Sequence, residues 1–370
     1  EDGIRDVERS RGLGDVYKRQ NDDNFVSNSI SFGKSHWNNE DDLNGDHIFR
    51  LMSMSKPITA LAAMQLVETG KLNLDSPAEE ILPELANIPV LTDDNRLVKQ
   101  TKSITLRHLM SHTSGFAYNS LMMITSKKFR GLSTFMKLYL FIKGIVTYIY
   151  PFSKGPRLFE AGTNFKYGTG LGFVGMMIEK VSGQSLEEYC KENIFNPLCM
   201  NDTGYNVAEE SLERVMPLHY TNDKKKLVVS KNLPPKRGTS LYGGTHGLYS
   251  TALDYLKFCH MIINGGKLNG ERILKKKTVD LMKINQVGSN YSRENQGFGF
   301  GFAIEYDPSL KLEEKAQSLY WGGYFNTRFF IDLKKNIVAI WMTQKLPNSS
   351  YEGYHQVLKK NVYNAIIDIE

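Results

Sequence analysis

An α+β fold, with an antiparallel sheet flanked by helices and an additional helical lobe, is what the chain predicts. Apolar helical runs fill the middle, strand-like runs crowd the last third, and a turn signal joins two of those strands into a hairpin. In chain order, residues 56–68 are apolar on nearly every face (Ile58, Leu61, Ala62, Met64, Leu66 and Val67), the mark of a central helix packed on all sides. Pro57 falls in its first turn, where the missing N–H costs little, and Gly70 supplies a stop. Residues 171–181 and 252–264 also read as helices, the first with Gly183 just beyond its end. Residues 297–306 (GFGFGFAIEY), 328–332 and 337–343 read as strands, and Lys334-Lys335-Asn336 turns the last two into an antiparallel hairpin. Residues 354–369 close the chain as a helix with Val357, Leu358, Val362 and Ile366 on its buried stripe. No internal repeat or low-complexity segment stands out.

Composition narrows the function classes. A chain of 370 residues, 41% of them hydrophobic, buries a large core as one domain or two lobes. Cys190, Cys199 and Cys259 are too few and too scattered for a disulfide framework, and the odd count leaves one thiol free unless it pairs between chains. No Cys/His grouping has zinc spacing and H-E-x-x-H is absent, so neither a metal nor an organic cofactor is expected. The net charge of +6 is mild. Its runs, Lys224-Lys225-Lys226 and Lys275-Lys276-Lys277, lack interleaved aromatics and read as solvated faces rather than a nucleic-acid surface.

Two segments stand apart. Asp15-Val16-Tyr17-Lys18-Arg19-Gln20 back-translates to a transposase end used in preparing sequencing libraries, so residues 1–20 read as adapter-derived or as a polar, disordered tail. Compartment and oligomeric state are then not legible, and periplasmic, extracellular and cytoplasmic locations stay open. Residues 135–152, FMKLYLFIKGIVTYIYPF, reach the lower length limit of a bilayer span but are interrupted by Lys137, Lys143 and Gly144. They read as a buried or partly exposed helix of the lobe, with a lid or a monotopic membrane contact as alternatives.

Ser53-Met54-Ser55-Lys56 carries the chemistry. A hydroxyl and an amine three residues apart lie on one face of a helix start. A serine hydroxyl needs a base to become a nucleophile, and a desolvated lysine one turn away can serve, provided burial or neighbouring charge lowers its pKa. No G-x-S-x-G elbow offers a rival nucleophile.

The surrounding blocks resemble the serine β-lactamase-like hydrolases, in particular the class C β-lactamase, family VIII esterase and penicillin-binding-protein branches. They are FRLMSMSKPIT (49–59), ITLRHLMSHTSG (104–115), LFEAGTNFKYGT (158–169), NPLCMNDT (196–203), GGTHGLYSTALDYLKF (243–258) and Trp321-Gly322-Gly323, in that order. The resemblance covers residue 30 to the C-terminus and implies a β-lactamase/transpeptidase-like catalytic domain over 21–370, with a helical lobe at about 75–240 inserted between sheet-forming segments. It also implies an N-terminal helix and first strand that this chain lacks, leaving a sheet edge exposed.

By the same resemblance Tyr167 shuttles a proton between Ser53 and the leaving group, and the main-chain N–H groups of Ser53 and Tyr324 form the oxyanion hole. Gly322 and Gly323 let substrate approach the strand, and Trp321 supplies an apolar wall. Two departures bear on substrate. Trp321-Gly322-Gly323 stands where antibiotic-hydrolysing members carry Lys-Thr-Gly, and Thr169 stands where they carry asparagine. The expectation is therefore a carboxylesterase on small or medium acyl esters. β-Lactamase, D-amino-acid peptidase or amidase, and acyltransferase activities are the alternatives within the family. A catalytically silent binding or assembly module is the alternative of another class, and retention of Ser53, Lys56 and Tyr167 argues against it. His112 to Gly115, His246, His260 and Asp202-Thr203 read as structural.

Overall fold

Buried β-branched and aromatic residues build the sheet first. In the computed structural model, which describes residues 12–21, 24–35, 42–94, 96–118, 156–222, 224, 226–230, 239–291, 294–306, 316–346 and 351–367, seven strands form one antiparallel sheet. They are β1 (Gly12–Asn21), β2 (Asn24–Phe32), β3 (Gln296–Phe298), β4 (Ala303–Tyr306), β5 (Ala316–Gly322), β6 (Arg328–Asp332) and β7 (Ile337–Thr343). Their spatial order is β3-β4-β5-β6-β7-β1-β2. Every residue of β6 is buried, as a central strand covered on both faces requires. Register is fixed by pairs such as Trp321 opposite Phe329 and Phe330 opposite Ala339. The hairpin expected at residues 328–343 is present, with Leu333 to Asn336 as its turn and Asn336 at φ 56°.

Helices cover the sheet. Among them α1 (Ser55–Glu68), α2 (Leu106–Met110), α3 (Gly170–Ser182), α4 (Ala252–Ile263) and α5 (Tyr351–Ile367) matter here. α1 is buried along almost its whole length, polar residues Ser55, Lys56 and Thr59 included. It packs on α3, while α4 and α5 pack on β7. Gly183 closes α3 in a left-handed conformation, φ 74°, as its place beyond the helix predicts.

Three expectations need correction. The run 297–306 is two strands, because Gly301 at φ 90° reverses the chain over α1; a Cβ there would meet the Ala60 Cβ at 2.8 Å. An alternating Gly-Phe pattern cannot report such a turn, since glycine fits both conformations. On α5, Val362 is buried but Val357 is 55% exposed, so the apolar stripe is narrower than its spacing suggests; the Ile366 side chain lies outside the described residues. The missing first strand, expected to leave a sheet edge exposed, has a substitute beside β7: β1 pairs with β7 from Gly12 opposite Thr343 to Lys18 opposite Ile337, and β2 then pairs with β1. Ladder bonds are made by the main chain, so this segment fills the edge without an apolar signature of its own. Residues 135–152 lie outside the described residues. No helix among the described residues is long and apolar enough to cross a membrane.

Candidate active site

The turn that presents Ser53 is held from two sides. The short strand Phe49–Arg50 leads to Met52, whose φ of 50° is unusual for a residue with a side chain, and Met52–Met54 then forms a single 3₁₀ turn ahead of α1. Leu51 N–H donates to Leu248 O at 2.9 Å, and the Thr327 hydroxyl donates to Leu51 O at 3.2 Å. Gly323 lies so close that a Cβ on it would stand 2.2 Å from Leu51 O. The lack of a side chain at Gly323 thus lets the main chain at Leu51 pack closely against it.

Three side chains predicted from sequence converge here. Lys56 Nζ lies 3.0 Å from Ser53 Oγ, and the Tyr167 hydroxyl donates to the same oxygen at 2.7 Å. Lys56 also donates to Thr245 O at 2.8 Å, and its Nζ sits 4.9 and 5.3 Å from the ring centroids of Tyr167 and Tyr118. Complete burial holds the amine well below its ordinary pKa of 10.5, the condition for a neutral base. Burial likewise raises Tyr167 well above 10, with the neighbouring Tyr118 adding to the shift, so its phenol keeps its proton at neutral pH.

Trp321 lies edge-on to Tyr167, with centroids 5.1 Å apart, and also against Phe298. With 7% of its surface exposed it props the tyrosine, more than it walls an open pocket. Gly322 ends β5, and Tyr324 follows in a turn closed by Gly323 N–H to Thr327 O and Asn326 N–H to Gly323 O. Tyr324 N–H takes no main-chain partner among the described residues and its side chain is 58% exposed. This end of β5 abuts the Met52–Met54 turn.

Sequence reasoning missed four neighbours. Tyr118 sets its ring 5.3 Å, centroid to centroid, from that of Tyr167, and burial pushes its phenol up to about 12. Thr245 acts on Lys56 through its carbonyl, which no side-chain pattern announces. His246, read as structural, has Nδ1 at 2.7 Å from Thr245 Oγ1. His112, read as a turn residue, has its ring centroid 4.7 Å from that of Tyr167. His112 and Thr245 lie in blocks that were legible, so their position was marked and their contact was not. No group of His, Cys, Asp and Glu among the described residues has the geometry of a metal site.

An antiparallel sheet with helices on it and a Ser-x-x-Lys pair at the head of the central helix define the β-lactamase/transpeptidase-like class of fold. The chain matches the model of the Beta-lactamase family over residues 22–362 and belongs to that family. It is similar to the lovastatin esterase of Penicillium rubens, at 29% identity over 330 residues that cover 81% of this chain and 80% of the relative. It is also similar to the esterase EstB of Burkholderia gladioli, at 28% over 329 residues covering 83% and 79%. Among solved structures, the LovD9 mutant of simvastatin synthase from Aspergillus terreus superposes with a TM-score of 0.79 at 24% identity, covering 99% of this chain and 95% of that one. This last likeness concerns the fold.

Proposed function

We propose that the protein is a serine esterase that works through an acyl-enzyme on Ser53. The observation that carries the reading is the convergence of Lys56 Nζ and the Tyr167 hydroxyl on Ser53 Oγ, at 3.0 and 2.7 Å. Lys56, neutral through burial, takes the Ser53 proton as Oγ bonds to the ester carbonyl carbon. The N–H groups of Ser53 and Tyr324 hold the resulting oxyanion. As the tetrahedral intermediate collapses, the bond to the alcohol oxygen breaks and Tyr167 gives that oxygen its proton, to be replenished from the Lys56 ammonium. Water then repeats the sequence on the acyl-enzyme, releasing the acid and restoring Ser53. An alcohol in place of water yields acyl transfer by the same steps.

Esters are favoured over β-lactams by Trp321. It stands where a lactam carboxylate would need a cation, and its contacts are Tyr167 and Phe298. The similarity to two esterases supports the same choice. The test is a panel of p-nitrophenyl esters of rising chain length, a chromogenic cephalosporin and D-amino-acid amides, with and without a primary alcohol, on wild type and Ser53→Ala. Expected is fastest turnover on the esters and a loss of about 10³-fold or more in Ser53→Ala. Faster Ser53-dependent cleavage of the cephalosporin would overturn the choice of esters. A folded protein that neither turns over any substrate nor takes a fluorophosphonate on Ser53 would mark a silent module.

A further inference from the structure

His112 holds the stretch around Tyr167 at two points. Its main-chain carbonyl accepts Lys166 N–H at 2.9 Å, and its ring Nδ1 accepts Gly168 N–H at 3.3 Å. The residues on either side of Tyr167 are thus tied to one histidine. The local fold explains how one residue reaches both. α2 begins at a Thr105 cap, and His112, just past its end, adopts φ 58°, while Thr113 N–H closes back on His108 O at 3.0 Å. This left-handed step turns carbonyl and ring toward residues 165–168.

The pairing also fixes the tautomer. Gly168 N–H can only donate, so Nδ1 accepts and the ring proton sits on Nε2. That Nε2 is buried and has no hydrogen-bond partner in the structure. Around the ring stand Tyr167, Phe298 and Phe165, edgewise, with centroids 4.7, 5.1 and 6.1 Å away. A phenylalanine would fill that aromatic setting without stranding a polar atom, so what the imidazole adds is the acceptor for Gly168. Tyr167 and Gly168 have no slack against this loop, because a Cβ on Gly168 would lie 2.1 Å from Phe116 O.

We propose that His112 is a positioning residue for the Tyr167 phenol, clamping residues 166 and 168 so that the hydroxyl stays within hydrogen-bonding reach of Ser53. The role rests on the proton-carrying part given to Tyr167 above. It does not place the imidazole in contact with substrate or with the reacting atoms.

The test compares His112→Asn, His112→Leu and His112→Gln, each alone and combined with Tyr167→Phe, on a p-nitrophenyl ester. Asparagine tolerates a left-handed φ, and its Oδ1 occupies the place of Nδ1, whereas leucine offers bulk without an acceptor. Expected is a fall of about 30-fold in kcat for His112→Leu at nearly constant KM, with recovery to within about 5-fold of wild type in His112→Asn. In the Tyr167→Phe background the His112→Leu penalty should vanish, since a residue acting only through Tyr167 has nothing left to position. Equal penalties in both backgrounds, or an asparagine variant no better than leucine, would overturn the clamp. If His112→Leu fails to fold, glutamine, whose amide reaches past the Nδ1 position, takes its place in the same comparison. A Tyr167→Phe enzyme as fast as wild type would remove the proton role of Tyr167 and the clamp with it. An impaired Tyr167→Phe beside unimpaired His112 variants would remove the clamp alone.

Discussion

At Lys56 the chain buries an amine completely, with Ser53 Oγ and Thr245 O as its hydrogen-bonding neighbours. Burial lowers the folded pKa well below 10.5, so between the lowered value and 10.5 the unfolded chain binds the proton that the folded chain has released. The stability cost of this amine is therefore largest at low pH, diminishes as pH rises through that window and is gone above about 10.5. Lys56→Met should abolish turnover by about 10³-fold while raising Tm at pH 6, with the two melting curves converging toward pH 10. A Lys56→Met protein that melts below wild type at pH 6 would show that the amine stabilises the fold. Ser53 and Lys56 were legible because their spacing is local: three positions on a helix place them together whatever the rest of the chain does. Tyr167 required the FKYGT block, and Tyr118 carried no signal, since only tertiary folding brings its ring to Lys56.

α5 is joined to the sheet through two carboxylates, Asp332, bonded by the Tyr363 hydroxyl, and Glu305. Glu305 on β4 is mostly buried, which alone would raise its pKa, yet it is held at about 2 by hydrogen bonds from the α5 side and from the sheet. Lys359 bonds it directly, the Ser318 hydroxyl donates at 2.6 Å, and His355 Nε2 stands 3.6 Å away. A carboxylate depressed from 4.5 to about 2 contributes stability that is present above pH 4.5 and lost as pH falls toward 2. The loss should amount to roughly 3 kcal/mol, with Glu305→Gln already showing most of it at pH 6 and little further decline on acidification. Chemical denaturation at pH 6 and pH 3 captures about 2 kcal/mol of it, the rest going nearer pH 2, and parallel declines in both proteins would exclude Glu305 as the cause. Element positions were read well where the period was sustained: α1 was expected over 56–68 and spans Ser55–Glu68. They were read poorly where a glycine changes direction, as at Gly301, or where pairing depends on main-chain bonds alone, as in β1.

For the molecule as a whole, β1 is the joint between β2 and the rest of the sheet, because among the described residues β2 pairs within it only with β1. Deleting residues 1–21 should strip the partner from both β7 and β2, lower Tm by about 5 °C or more and promote edge-to-edge association seen by size-exclusion chromatography. An unchanged Tm with monomeric elution would show that β2 takes over the edge of β7. The site depends on the whole sheet in another respect as well. Tyr167 reaches Ser53 across 114 positions of chain, Thr245 reaches Lys56 across 189, and Thr327 reaches Leu51 across 276. Contacts so distant in sequence form only after long loops have closed, so they come late in folding. Ser53 and Lys56 consequently lack these partners until the chain has folded through residue 327. On the proposed acyl-enzyme chemistry, labelling of Ser53 by a fluorophosphonate during refolding would then report when these distant contacts have closed.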